Sequence, residues 1–137
     1  MGFDLDNDGT RVSSRIVFYQ NPNVQNKTFE LFLDGILLEL LCISINGGAA
    51  NYELKENGLL LTNLPERFVL EIENHIHPEV NTSLSGLYQS SGNFCTQCEA
   101  EGFRQITYYL DRPDVLSVFT VRISANRDEY PVLLSNG

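Results

Sequence analysis

Tyr52-Glu53-Leu54-Lys55-Glu56-Asn57-Gly58-Leu59-Leu60-Leu61 is followed, just past Pro65, by Phe68-Val69-Leu70-Glu71-Ile72. The first stretch reads as a β-hairpin, two short apolar runs flanking Glu56-Asn57-Gly58, whose glycine can take the positive φ of a tight turn. The second alternates with period two, as a strand with one buried face does. The same rhythm extends outward, with apolar runs broken by turn signals about every ten residues, the pattern of an all-β sandwich or barrel. Val12–Tyr19 ends at Asn21-Pro22-Asn23, Phe29–Leu33 at Asp34-Gly35, and Ile36–Ile45 at Asn46-Gly47-Gly48. Leu87-Tyr88-Gln89, Val118–Ile123 and Val132–Leu134 complete the predicted strands.

Helix is expected in one region only. Glu99–Leu110 has room for a turn or two, although Gly102 and the β-branched Ile106 and Thr107 weaken it. Asp111-Arg112-Pro113-Asp114 reads as an acidic cap with proline in the first turn, starting a short helix or a turn over Val115–Phe119. No linker, low-complexity tract or internal repeat divides residues 1–137, which read as one domain.

The chain has 137 residues, a net charge of −9 and 42% hydrophobic content. A chain of that size buries roughly 68% of its unfolded surface, enough for a core without metal or disulfide staples. Lys27 and Lys55 are its lysines. So acidic a surface repels phosphate backbones and anionic lipid, which excludes nucleic acid and membrane surfaces as expected partners. There is no run of the ~18 to 20 apolar residues that span a bilayer. Met1-Gly2-Phe3-Asp4-Leu5-Asp6 lacks the basic lead and apolar run of a secretory signal. Cys42, Cys95 and Cys98 are too few for a disulfide scaffold and fit reduced thiols in a cytoplasmic protein.

Three local patterns mimic functional motifs. Cys95-Thr96-Gln97-Cys98 has redox spacing, but no βαβ unit precedes it, and zinc would need a second cysteine pair. Asp4-Leu5-Asp6-Asn7-Asp8-Gly9 matches the opening of a calcium loop. Its twelfth position, where a bidentate glutamate belongs, is Arg15. A strand, an Asn-Asp-Gly turn and a second strand from Thr10 is the simpler account, and the Asp-Leu-Asp alternation suggests a chain that starts inside a sheet. His75-Ile76-His77-Pro78-Glu79 places two imidazoles on one face of a strand end, and only Glu79 stands near as a third ligand. The expectation is two partly solvated histidines stopped by Pro78, with adventitious metal left open. No serine lies in a G-x-S-x-G turn.

The chemistry concentrates between Asn81 and Asp114. Acids and arginines set among apolar residues imply partnered charges, because unpaired buried charge is costly. Here Thr96-Gln97-Cys98-Glu99-Ala100-Glu101-Gly102-Phe103-Arg104 and Ile106-Thr107-Tyr108-Tyr109-Leu110-Asp111-Arg112-Pro113-Asp114-Val115-Leu116 closely resemble the N-terminal β domain of the bacterial aminopeptidase N family. Members of that family are gluzincin-type zinc metallo-aminopeptidases. The flanks agree: Asn63-Leu64-Pro65-Glu66-Arg67-Phe68, Asn81-Thr82 with Leu84, Gly86-Leu87-Tyr88 and Ser90, and the ending Tyr130-Pro131-Val132-Leu133-Leu134-Ser135-Asn136-Gly137. The likeness is strong from about Gly58 onward and looser before it.

The resemblance implies an all-β, predominantly antiparallel, saddle-shaped β-sandwich with one or two short helical turns, packed against a thermolysin-like catalytic domain of the same polypeptide. It implies a fragment clipped at both ends. The family's H-E-x-x-H and Gly-Ala-Met-Glu-Asn motifs are absent, and the histidines are His75 and His77 alone. Zinc then belongs to the parent enzyme, and these residues by themselves are expected to hydrolyse nothing. By the same likeness Gln97 and Glu99 line the first substrate pocket and hold the free α-amine of a peptide, while Glu101, Arg104, Asp111 and Arg112 pair structurally. The competing reading is a stand-alone β-sandwich module binding carbohydrate or protein, which lacks tryptophan, the usual sugar-stacking residue. A truncated relative acting as a scaffold is a third.

Overall fold

The computed structural model describes residues 1–24 and 29–135; Lys27 and the closing Asn136-Gly137 lie outside them. Its strands are β1 (Gly2–Asp6), β2 (Gly9–Tyr19), β3 (Leu31–Asp34), β4 (Glu39–Ile45), β5 (Gly48–Ala49), β6 (Tyr52–Lys55), β7 (Gly58–Leu61), β8 (Arg67–Ile76), β9 (Gly86–Ser90), β10 (Asn93–Gln97) and β11 (Arg122–Ser124). They form a six-stranded sheet in the order β11-β1-β2-β8-β4-β5, a three-stranded sheet β3-β7-β6 and a two-stranded sheet β10-β9. All described pairings between strands are antiparallel except β1 with β11. The all-β expectation therefore holds.

The two long strands carry the large sheet. β2 and β8 pair from Thr10↔Ile76 to Tyr19↔Arg67. Along β8 the alternation read in the sequence becomes burial: Phe68, Leu70, Ile72, Asn74 and Ile76 turn inward, while Arg67, Glu71 and Glu73 are exposed. Two apolar clusters lie on the inner side. Leu33, Leu59, Leu61 and Leu64 from the β3-β7-β6 side join Phe68, Leu70, Ile72 and Tyr108 in one. Val12, Ile76, Leu87 and Ile106 form the other, with Phe94, Cys98 and Phe103 packed against it. One sheet is thus covered by two small ones, each contributing its own patch of core. Burying each such leucine or isoleucine contributes about 1.5–3 kcal/mol relative to exposure.

The hairpin β6-β7 closes at Lys55↔Gly58, so its turn residues are Glu56 and Asn57. Gly58 does not take positive φ as expected. It is needed for closeness: a Cβ there would collide with the backbone oxygen of Leu33 on the neighbouring strand. β4 begins later than predicted, at Glu39, because Leu37 has φ +57° and stands exposed. A register shift between Leu40 and Cys42 then bulges Leu41 outward, which explains the run of leucines without clean alternation.

Among the described residues, helical structure is limited to 3-10 turns at Pro78–Val80 and Phe103–Gln105. The second falls within the predicted Glu99–Leu110 region; the first was not anticipated. Val115–Phe119 is not a helix, and only Val115 N to Arg112 O closes a turn there. Tertiary contacts win over so short a helix, whose nucleation is costly. Phe119 packs against Phe103 and Tyr109, and the Tyr109 hydroxyl is 2.7 Å from Ser117 Oγ. The predicted strand Val118–Ile123 shrinks to β11, and Val132–Leu134 is not a strand. No helix among the described residues is long and apolar enough to cross a membrane.

Candidate substrate-anchoring site

The loop from Gln97 to Asp111 is sewn to the core on several sides. Asp34 and Tyr109 form a two-way backbone bridge, Asp34 N to Tyr109 O at 2.8 Å and Tyr109 N to Asp34 O at 3.0 Å. Ile36 N donates to Arg104 O at 2.9 Å. From beneath, the buried Asn74 Nδ2 on β8 donates to Ile106 O at 2.9 Å. A loop this irregular leaves many backbone groups without ladder partners, and these bonds supply them.

Arg104 is the charged centre of the loop. Its backbone N and Nε both reach Asp111 Oδ2 at 3.0 Å, and its Nη2 reaches Asp111 O at 2.8 Å. Asp34 Oδ1 lies 3.5 Å from Nη1 and Glu101 Oε2 3.2 Å from Nη2. The Asp111 hydrogen bond, assisted by the charges of Asp34, Asp111 and Glu101, raises the guanidinium pKa further, against a smaller opposing effect of burial. Arg104 and Asp111 are well shielded, with side chains 19% and 8% exposed. Such a pair is destabilising to break, because it leaves a charge without its partner. Arg112 pairs with Asp114 at 3.1 Å in solvent, where the contribution is small. In the sequence Asp34 reads only as a turn residue; its role emerges from the pairing of residues 34 and 109, which local sequence does not reveal.

Gln97 ends β10, paired with Gly86 on β9, and is exposed. Its Nε2 donates to Glu99 O at 3.3 Å, which leaves its carbonyl oxygen as an open acceptor. Glu99 is also exposed, and the Glu99–Ala100 peptide is cis. Gly102 N donates back to Cys98 O at 2.9 Å, closing a turn around these residues. A Cβ on Gly102 would lie 2.7 Å from Gln97 O and 2.7 Å from Ser85 Oγ, so this position admits only glycine without displacing Gln97. The structure thus brings Gln97 and Glu99 together on one solvent-facing turn, backed by the Arg104–Asp111 pair.

The motif mimics resolve differently. Cys95 lies within β10 rather than at a helix start. The Cys98 thiol is pushed up by burial and then by the charge of Asp111, away from the thiolate that redox chemistry uses. Asn7 and Asp8 form the two-residue turn between β1 and β2, with Gly9 at φ +123°. Asn7 is also tied across the chain, its Nδ2 2.6 Å from Glu129 Oε2. His75 and His77 stand on the outer side of the large sheet, and β4 brings Glu39 opposite His75. Nothing in the local sequence marks Glu39, which strand register alone brings to this place.

The fold is shared with known proteins. Aminopeptidase A of Legionella pneumophila, solved in complex with aspartic acid, superposes with a TM-score of 0.93 and 34% identity, over 99% of this chain and 16% of that one. A zinc metallopeptidase of Deinococcus radiodurans, solved with a Tyr-Ser-Ala substrate, has a TM-score of 0.74 over 90% of this chain and 30% of its own. At 16% identity that is a likeness of fold alone. In sequence, aminopeptidase N of Escherichia coli (strain K12) is 56% identical over 108 residues, 78% of this chain and 12% of that protein. The three sheets and their loop therefore define a β domain of the aminopeptidase type. The chain belongs to the Peptidase M1 N-terminal domain family, whose pattern matches residues 5–137. It spans 12–16% of the length of the curated relatives it matches.

Proposed function

We propose that this chain is the non-catalytic N-terminal domain of a cytoplasmic zinc aminopeptidase that removes N-terminal amino acids from peptides, and that Glu99 holds the substrate's free α-amine with help from Gln97. The observation that carries the proposal is the placement of Glu99: exposed, on a turn whose neighbours are locked by Gln97, Gly102 and the Arg104–Asp111 pair. A backbone turn held in this way fixes where the Glu99 side chain starts from and leaves only its own rotamers to be ordered on binding.

An α-amine with a reference pKa of about 7.7–8.0 is largely protonated near neutrality. A carboxylate at ~4 Å attracts it by about 4 kcal/mol at an effective dielectric near 20, before desolvation is subtracted. The free carbonyl oxygen of Gln97 accepts a second ammonium hydrogen. Holding the amine sets the register of the peptide, so that only its first peptide bond meets the catalytic centre. A zinc ion held by another domain of the complete enzyme would supply the Lewis-acid chemistry of the hydrolysis. This chain's residues do not fit that centre: its histidines are His75 and His77, with no H-E-x-x-H.

In the complete enzyme, Glu99→Ala is expected to lower kcat/KM for unblocked dipeptides by about 10- to 150-fold, since a hydrogen bond to a charged group contributes about 1.5–3 kcal/mol. The 137 residues alone, with zinc added, are expected to release no amino acid. Unchanged kinetics in Glu99→Ala overturn the anchoring role, and chelator-sensitive hydrolysis by the isolated chain overturns the division of labour.

A further inference from the structure

We infer that Glu39, His75 and His77 form a binding site for a first-row transition dication of the zinc and copper class, on the outer face of the large sheet. The alternation of β8 turns Asn74 and Ile76 inward and leaves His75 on the opposite side, and exposed His77 follows just past the strand end. Their rings meet edge to face, centroids 4.8 Å apart at 89°. Strand register sets Glu39, the first residue of β4, directly across from His75. One donor atom from each of the three residues lies within 4.8 Å of the other two.

The spacing suits an ion better than a hydrogen bond. Glu39 Oε2 is 3.7 Å from His75 Nδ1, too long for direct donation. Two ligands on a tetrahedral ion with ~2.0–2.1 Å bonds stand about 3.3–3.4 Å apart, a few tenths closer than this pair; the widest spacing in the trio, up to 4.8 Å, closes by rotation of the exposed Glu39 and His77 side chains. The rings are also held in place. His77 Nδ1 is 2.8 Å from Glu79 Oε1, which places the N–H on Nδ1 and leaves Nε2 with its lone pair free. Buried Pro78 opens the 3-10 turn that positions Glu79. The His75 ring lies over Gly9, where any Cβ would collide with it.

Two imidazoles and a carboxylate favour zinc, copper or nickel over magnesium or calcium, which prefer all-oxygen sites. The same row across the sheet runs Asp4, Arg11, His75, Glu39. Arg11 is a cation working against the ion. Asp4 faces Arg11, and Glu39 and Glu79 flank the imidazoles, so acids outnumber it at the site. An ion here ties the start of β4, beside its bulge, to the end of β8 and to the Pro78–Val80 turn.

The test is a calorimetric titration of this chain with Zn2+, paired with the electron paramagnetic resonance of its Cu2+ complex. One saturable zinc per chain is expected, with nitrogen hyperfine splitting from two imidazoles and no displacement by Mg2+ or Ca2+. His75→Ala and His77→Ala should each abolish saturable uptake while circular dichroism stays unchanged, and Glu79→Gln should weaken it by about 10- to 100-fold. Cys42, exposed on the same strand as Glu39, is the rival ligand, so Cys42→Ser must keep full affinity. No saturable zinc uptake by the unaltered chain, loss of binding in Cys42→Ser, or an unchanged copper signal in His77→Ala would each overturn the site.

Discussion

Between the two anchoring candidates sits a residue with the opposite character. Gln97 and Glu99 are exposed, while the Cys98 side chain packs against the inner cluster of Val12, Ile76, Leu87 and Ile106. That alternation lets one turn be anchored inward and display its polar groups outward. It also carries a pH signature. Burial, then the charge of Asp111, raises the Cys98 pKa above its ordinary 9.0. The folded state therefore holds the thiol proton more tightly than the unfolded chain. The stabilisation is complete below pH 9.0 and is lost as pH rises through the higher folded value. Tyr108, raised from 10.0 by burial and then by Tyr52, adds the same sign at higher pH. Thermal midpoints should fall above pH 9, and Cys98→Ala should flatten the first part of that decline. An identical slope in the variant would show that Cys98 is not responsible.

At the scale of elements, what could be read in advance depended on length and period. β2 and β8 were legible because each has ten or more residues over which alternation can accumulate. The β6-β7 hairpin was legible because polar turn residues sit between two apolar runs. β10 was not: Asn93-Phe94-Cys95-Thr96-Gln97 has no apolar alternation, and its edge is defined only by pairing with β9. The same limit hid the site's support. Gln97, Glu99 and the Arg104–Asp111 pair stood within one short segment, but Asp34 entered only through a bridge spanning 75 residues of chain. The bulge in β4 offers a contrast between leucines that composition cannot distinguish. Leu70 is 0% exposed and Leu41 46%. Leu70→Ala should cost about 2–5 kcal/mol in urea unfolding, from lost transfer energy and a cavity in the shared core. Leu41→Ala should stay within about 0.5 kcal/mol, as surface changes do. Equal costs would mean that the bulge does not expose Leu41 in solution.

For the molecule as a whole, two surface properties oppose each other. The net charge of −9 keeps copies apart. Yet Leu116, Val118, Val132 and Leu134 are 92, 102, 71 and 86% exposed, apolar side chains that favour association. Salt decides between the two tendencies, because the screening length falls from about 10 Å at 0.1 M to about 3 Å at 1 M. Light scattering should find a monomer at low ionic strength and a concentration-dependent increase in mass at high ionic strength, suppressed by Leu116→Lys with Val118→Asp. Mass that is insensitive to salt in both proteins would place the cohesive surface elsewhere. The parallel pairing of β1 with β11 joins Gly2 to Arg122 and Asp4 to Ser124. During synthesis β1 must therefore wait without this partner until residue 124 has cleared the ribosome tunnel. Contacts this distant along the chain form late and slowly. A nascent chain halted before that point leaves β1 one neighbour short, an open strand edge of the kind that pairs with other chains.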